Sequence, residues 1–246
     1  MCEKYQAEKL RLNSNWDHRE KAIGTHSAPR WRLVMWLAGL VLISCTLLVS
    51  PVVAKDTAPD PTKTCAESTK NYHDHSCSLW RSAEKCPKND SKRKCSKWYA
   101  LFDEGECHYL LVPTDPVIGV EDPKWNKHNY FKLAWDAAQR GDWNIKHHTR
   151  TSLGLAINPA TRRSQHQLHI HIGRLKHDMR EALQQKSIRH QGIWYKRMIS
   201  GKECSVKFIQ QKHNNDFPSP FSEVAKEFSM YYSGIIVAGN YYNETK

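Results

Sequence analysis

Residues Ser164–Gly173 read SQHQLHIHIG, with three histidines and two glutamines in ten positions. Successive side chains of a β-strand point to opposite faces. As a strand, this stretch sets Leu168, Ile170 and Ile172 on one face and Gln165, Gln167, His169 and His171 on the other. The first face is apolar enough to pack on a core. The second is a row of groups that donate, accept and titrate near neutral pH.

The sequence around this strand reads as a mixture of hairpins and helices. Upstream, Ser152–Ile157 reads as a strand joined to it by the basic turn Asn158-Pro-Ala-Thr-Arg-Arg-Ser164. Tyr130–Arg140 has helical periodicity, with Gly141 placed to end it. Lys97–Asp103 and Cys107–Val112 flank Glu104-Gly105-Glu106 as a hairpin. Between them and the helix, Pro113–His128 holds three prolines and reads as a long ordered loop that walls a site. Ser78–Lys85 reads as a helix. Downstream, Asp178-Met-Arg-Glu181 reads as a capping box opening a helix to about His190. A weaker strand at Trp194–Met198, a helix at Ser222–Phe228 and a strand at Gly234–Ala238 follow. The expected class is α+β, an antiparallel sheet with packed helices.

At 246 residues the chain has room for one good-sized domain and a terminal segment. Its 37 Lys+Arg against 25 Asp+Glu give a net charge of +12, which favours phosphate-bearing partners, whether nucleotides, nucleic acid or anionic lipid. Trp31–Ala54, WRLVMWLAGLVLISCTLLVSPVVA, carries one charge, Arg32. As a helix it would reach about 36 Å, against a bilayer core of about 30 Å. The basic residues before it keep the N-terminus cytoplasmic by the positive-inside rule. The division expected is therefore a cytoplasmic segment at 1–30, a single transmembrane anchor at 31–54, a linker and cysteine-bearing segment at 55–78, and a catalytic domain at 79–246. Two rivals share that run: a signal-peptidase site at Val52-Val53-Ala54 and a lipoprotein box at Leu42–Cys45.

Beyond the run lie six cysteines, Cys65, Cys77, Cys86, Cys95, Cys107 and Cys204, an even number that reads first as disulfides in an exported domain. The competing reading is zinc, with His73 and His75 near Cys77, but no CxxC spacing supports it.

Imidazole attacks phosphorus well and leaves again from a phosphoramidate, so it divides a pyrophosphate hydrolysis into two easier displacements. Such a site needs one neutral histidine with its second nitrogen held by an acceptor, and donors around the phosphoryl oxygens. The polar face beside Asn158, Arg162 and Arg163 has the groups for both.

RSQHQLHIHI, at Arg163–Ile172, resembles the histidine motif of the HIT-like superfamily, and more of the chain resembles bacterial CDP-diacylglycerol pyrophosphatases. CHYLLVPTDPVIGVEDP (Cys107–Pro123), YFKLAWDAA (Tyr130–Ala138) and SLGLAINPATRRSQHQLHIHI (Ser152–Ile172) are similar to that family's segments in order and spacing, and HDMREAL (His177–Leu183) is similar to the helix after them. The resemblance implies a HIT-like domain that hydrolyses CDP-diacylglycerol to CMP and phosphatidate through a nucleotidyl-histidine, with no metal or other cofactor. It implies His169 as nucleophile and His171 as its neighbour, with Gln167 at the first motif position. A register shifted by two would make His171 the nucleophile. Asn158 and Gln165 match phosphate-side positions, and Arg162 and Arg163 are added on charge. Cys86 and Cys95 stand where the family has a cysteine pair.

The expected partners are this lipid substrate and the bilayer, with no nucleic acid and no obligate protein. The expected location is the inner membrane, single-pass, with the catalytic domain on the periplasmic side. Two other functions stay open: a hydrolase of soluble nucleotides or nucleotidyl conjugates, and a basic membrane-tethered module without catalysis.

Overall fold

Among the described residues nine strands form one sheet, and all its pairings are antiparallel. The computed structural model describes residues 39–46, 65, 75–86, 93–105, 107–140, 149, 151–184, 192–210 and 217–239. The strands are β1 (Gly39–Thr46), β2 (Arg93–Cys95), β3 (Tyr99–Asp103), β4 (Tyr109–Pro113), β5 (Leu153–Ile157), β6 (Ile170–Arg174), β7 (Trp194–Ile199), β8 (Lys202–Gln210) and β9 (Ser233–Gly239). Their order across the sheet is β2-β3-β4-β6-β5-β9-β1-β8-β7. The helices are α1 (Ser78–Glu84), α2 (Tyr130–Gln139), α3 (His177–Gln184) and α4 (Pro220–Ala225). The α+β class is as expected.

Alternation decides which face each helix covers. Leu111 of β4, Ile170 and Ile172 of β6 and Leu155 of β5 are fully buried on one face, where Tyr130, Phe131 and Ala134 of α2 and Phe221 of α4 close over them. Burying each such side chain contributes roughly 1.5–3 kcal/mol. The caps of these two helices are local. Asn129 Oδ1 accepts from Lys132 N–H at 3.1 Å while its Nδ2 donates to the Phe217 carbonyl at 2.9 Å, and Ser219 Oγ accepts from Ser222 N–H ahead of Pro220. On the other face Ala83 of α1 packs on Ala100, Phe102, Leu110 and Val112, and Leu183 of α3 packs near Leu175, Val206 and Phe208. The histidine face of β6 lies between these two covered areas.

Four features differ from the sequence reading. The histidine strand begins at Ile170, so Gln165 to His169 approach it as a bent segment rather than as strand. Helix α3 begins at His177, which places Asp178 inside its first turn. The Asp178 carboxylate accepts from the Ser200 hydroxyl at 2.6 Å, and residues 185–190 lie outside the described set. Strand β8 was not expected. It pairs with β7 through a two-residue turn in which Ser200 and Gly201 both take positive φ, 49° and 74°.

The fourth correction concerns the apolar run. Gly39–Thr46 is a strand between β9 and β8, with Ile43 opposite both Ile236 and Val206. No helix among the described residues is long and apolar enough to cross a membrane. The reason is physical: a continuous apolar run has no period that separates a strand from a helix. Val41, Ile43 and Thr46 are β-branched, and the sheet offers a partner on each side. The rest of Trp31–Ala54 and the linker at 55–64 lie outside the described residues.

Disulfides join Cys65 to Cys77 and Cys86 to Cys95, with Cα–Cα separations of 5.5 and 5.9 Å. Cys107 and Cys204 are disulfide-bonded as well. Cys77 is thus a half-cystine, which removes it as a zinc ligand.

Candidate active site

His169 sits one residue before β6 and is 7% exposed. Its Nδ1 lies 2.8 Å from the Gln167 carbonyl oxygen. A carbonyl only accepts, so Nδ1 carries the proton and Nε2 holds the lone pair. Burial lowers the pKa of this ring. The Gln167 carbonyl opposes that shift, and the positive charge of Arg163 adds to it. The ring is therefore neutral, with one tautomer set by the backbone.

His171, within β6, is directly opposite Leu110 of β4 and Ala156 of β5. Its ring meets that of His169 edge-on, with centroids 5.1 Å apart. Its Nδ1 lies 3.0 Å from Nε2 of His108, and the His108 and His171 rings stack at 5.2 Å. Burial first, then the neighbouring His169 and His108, holds the His171 pKa well below the usual imidazole value. Its Nε2 is buried and has no hydrogen-bond partner. If His108 Nε2–H donates to His171 Nδ1, the neutral His171 ring carries its own proton on that unpartnered Nε2. His108 was missed in the sequence. It precedes β4 by one residue and shares the Leu110 face, but nothing local announces that β4 will lie beside β6.

Arg163 is the expected arginine that does reach the site. Its guanidinium is 5% exposed, is ion-paired to Glu121, and has Nη2 3.3 Å from His166 Nδ1. Gly119 makes this close approach possible, because a Cβ there would overlap the guanidinium. Glu121 was not singled out from sequence. Its one signal was its place after Gly119 in the loop that resembles the family's. Asn158 follows β5 and is half-buried, and continuing the β5–β6 register by two residues sets it opposite His169.

Three other expected residues have different jobs. Gln167 is 1% exposed and both its amide hydrogens are engaged, by the Pro113 and Asp115 carbonyls at 2.9 Å each. With Leu168 N–H donating to the Val117 carbonyl at 2.7 Å, it straps the histidine segment to the Pro113–His128 loop, which is the site wall expected. No amide hydrogen of Gln167 is left for a phosphate. Gln165 turns toward α1, where its Oε1 accepts from the Ser78 hydroxyl and from Leu79 N–H at 3.2 and 3.1 Å. Arg162 is exposed; burial first, and then the charge of Arg162, lowers the pKa of Lys202 from the ordinary lysine value.

What remains together is an imidazole lone pair, an unpartnered ring nitrogen beside it, and a buried arginine. Chemically, such a set has a nucleophile for an electrophilic centre and donors for the oxygens around it. Among the described residues no group of three metal-ligating side chains converges.

A family model for CDP-diacylglycerol pyrophosphatase matches residues 71–243, which include every strand but β1 and all four helices. Among curated proteins, one from Yersinia pestis named CDP-diacylglycerol pyrophosphatase is 39% identical over 97 residues. That match covers 37% of this chain and 36% of the relative's length. On the extent of the family match, the chain belongs to the CDP-diacylglycerol pyrophosphatase family.

Proposed function

We propose that the chain hydrolyses the pyrophosphate bond of CDP-diacylglycerol, giving CMP and phosphatidate. In this reading His169 Nε2 attacks the phosphorus that bears cytidine. The P–O bond to the bridging oxygen breaks, phosphatidate leaves, and a CMP–histidine phosphoramidate forms. Water then attacks the same phosphorus, releasing CMP and restoring the imidazole. His171 Nε2–H donates to a phosphoryl oxygen as charge builds on it, with its tautomer set by His108. Arg163 adds positive potential, and Asn158 offers an amide from across the β5–β6 register.

The observation that carries this reading is the Nδ1–H of a buried, neutral His169 held on the Gln167 carbonyl, which aims a lone pair away from the backbone. A HIT-like arrangement of the domain belongs to the same proposal. It is supported by the order of hairpin, helix, strand, basic turn and histidine strand on one antiparallel sheet. So does placement on the extracytoplasmic side of the inner membrane, which is supported by the disulfides.

The test is release of CMP from CDP-diacylglycerol by purified protein in EDTA, with water-soluble CDP-alcohols in competition. CMP release with preference for the lipid supports the proposal. Preference for the soluble conjugates replaces the lipid with a soluble substrate, and no release from either leaves a binding module.

A further inference from the structure

The loops at one end of the sheet share a chemistry that the histidine site does not use. The row through His171 passes across the sheet by way of Ala156, Ile236, Ile43, Val206 and Tyr195. Beyond that row, on the His169 side, stand the turn at Ala160–Arg162, the short 3-10 helix Met230–Tyr232 that packs against it, and the end of the β7–β8 hairpin. Four large apolar side chains are exposed among the described residues, and three of them lie here: Met198 at 64%, Tyr232 at 53% and Tyr231 at 39%. Arg162 in the turn and Lys202, paired with Ile199 at the start of β8, bring two cations to this end, where the carboxylates are Glu203, opposite Met198, and Asp178, which accepts from the Ser200 hydroxyl. Glu203 is paired with Lys196 at 3.0 Å, so Arg162 and Lys202 remain to attract an outside anion.

We propose that this rim, formed by Met198, Tyr231, Tyr232, Arg162 and Lys202, docks the domain on an anionic phospholipid surface, with the histidine end of the sheet facing the bilayer. The inference rests on the proposed lipid substrate and adds where that lipid is met. Tyrosine suits the headgroup level, where its ring and hydroxyl find different solvents. Met198 adds apolar area, and each cation near an anionic surface adds attraction that salt screens.

Two measurements on the full chain test it. The first is turnover of CDP-diacylglycerol in vesicles of phosphatidylglycerol or of phosphatidylcholine, beside turnover of a water-soluble CDP-alcohol. The variant Met198→Ser/Tyr231→Ser/Tyr232→Ser is expected to raise the apparent KM for vesicle substrate about tenfold. Lys202→Gln is expected to raise it about fivefold on phosphatidylglycerol only. Both variants should keep the soluble reaction within about twofold of wild type, inside ordinary surface effects. Equal losses on soluble and vesicle substrate would overturn the inference by making the rim part of the site or of the fold. Unchanged vesicle kinetics would overturn it while leaving the proposed function standing.

The second measurement is flotation with preformed vesicles and no substrate, which reads the surface even if the lipid is not hydrolysed. Weaker flotation of the triple variant on phosphatidylglycerol supports the proposal. Equal flotation of wild type and variant, or self-association of wild type that the variant abolishes, contradicts it.

Discussion

His108 Nε2 stands 3.0 Å from His171 Nδ1, joining a residue just before β4 to the middle of β6 across a sheet pairing that sequence does not announce. If His108 Nε2–H donates to His171 Nδ1, the neutral His171 ring carries its own proton on Nε2, and under the proposed chemistry His108 then sets what His171 offers a phosphoryl oxygen. His171→Ala should lower kcat about a hundredfold, as removal of one oxyanion donor does. His108→Ala should lower kcat less, about tenfold, with little change in KM, because it frees a tautomer rather than removing a donor. His108→Gln, which keeps an N–H, should recover part of that loss. Steady-state kinetics on the three variants checks the order.

The acid limb of the pH profile should lie below that of a free imidazole, about 6.5. Both rings are pushed down mainly by burial, so the neutral forms persist as pH falls and activity drops only through the lowered pKa values. Arg163→Gln should shift the limb upward by removing one contribution, while burial keeps it below 6.5. The same sign holds for stability. Unfolded histidines take up protons from about pH 6.5 downward while the folded ones do not, so stability falls from there to the lowered folded pKa and levels off below it. Thermal melts across pH 4–8 and kcat/KM profiles should show both. An acid limb above 6.5 would contradict the assignment.

Gly119→Ala places a methyl where the Arg163 guanidinium lies against Glu121. Either the pair separates or the loop moves, and breaking a buried pair costs roughly 3–5 kcal/mol. Activity should fall with melting temperature. Gly105→Ala, whose Cβ would meet nothing within 4 Å, is the control. It should cost only the strain of its positive φ, of order 1 kcal/mol.

The Cys65–Cys77 and Cys86–Cys95 bridges close loops of 12 and 9 residues in sequence separation. Each should stabilise by about 3 kcal/mol in the chain-entropy model. Cys65–Cys77 also holds the start of α1, where His166 N–H donates to the Ser76 carbonyl at 2.7 Å. Reduction should therefore loosen the turn beside the histidines and lower both melting temperature and turnover. Peptide mapping without reductant should recover the two pairs.

Short-range chemistry was legible and long-range pairing was not. The β3–β4 hairpin, α2 and strand β5 follow from apolar period and turn residues, and the structure has them where they were expected. Strand β8 was legible and was missed: Cys204, Val206 and Phe208 alternate with polar residues after the Ser200-Gly201 turn, which is the period of a half-buried strand. The Gly39–Thr46 segment was read as helix because two neighbouring strands, not its own period, make it a strand. In the site, His169 and His171 stood out as a cluster. Gln165 and Gln167 were assigned to that face because strand geometry was extended five residues too far, and His108 was invisible until β4 lay beside β6.

Rapid acid-free quench of wild-type protein with CDP-diacylglycerol labelled in the cytidylyl phosphate, followed by peptide mapping, tests the central claim most directly. The proposed chemistry predicts acid-labile CMP on the peptide containing His169, located on that residue, absent in His169→Ala and still formed in His171→Ala. Label on His171 would move the nucleophile by two positions. Product release with no adduct in either variant or in wild type would mean that water attacks the phosphorus directly and that the histidine face serves only to bind.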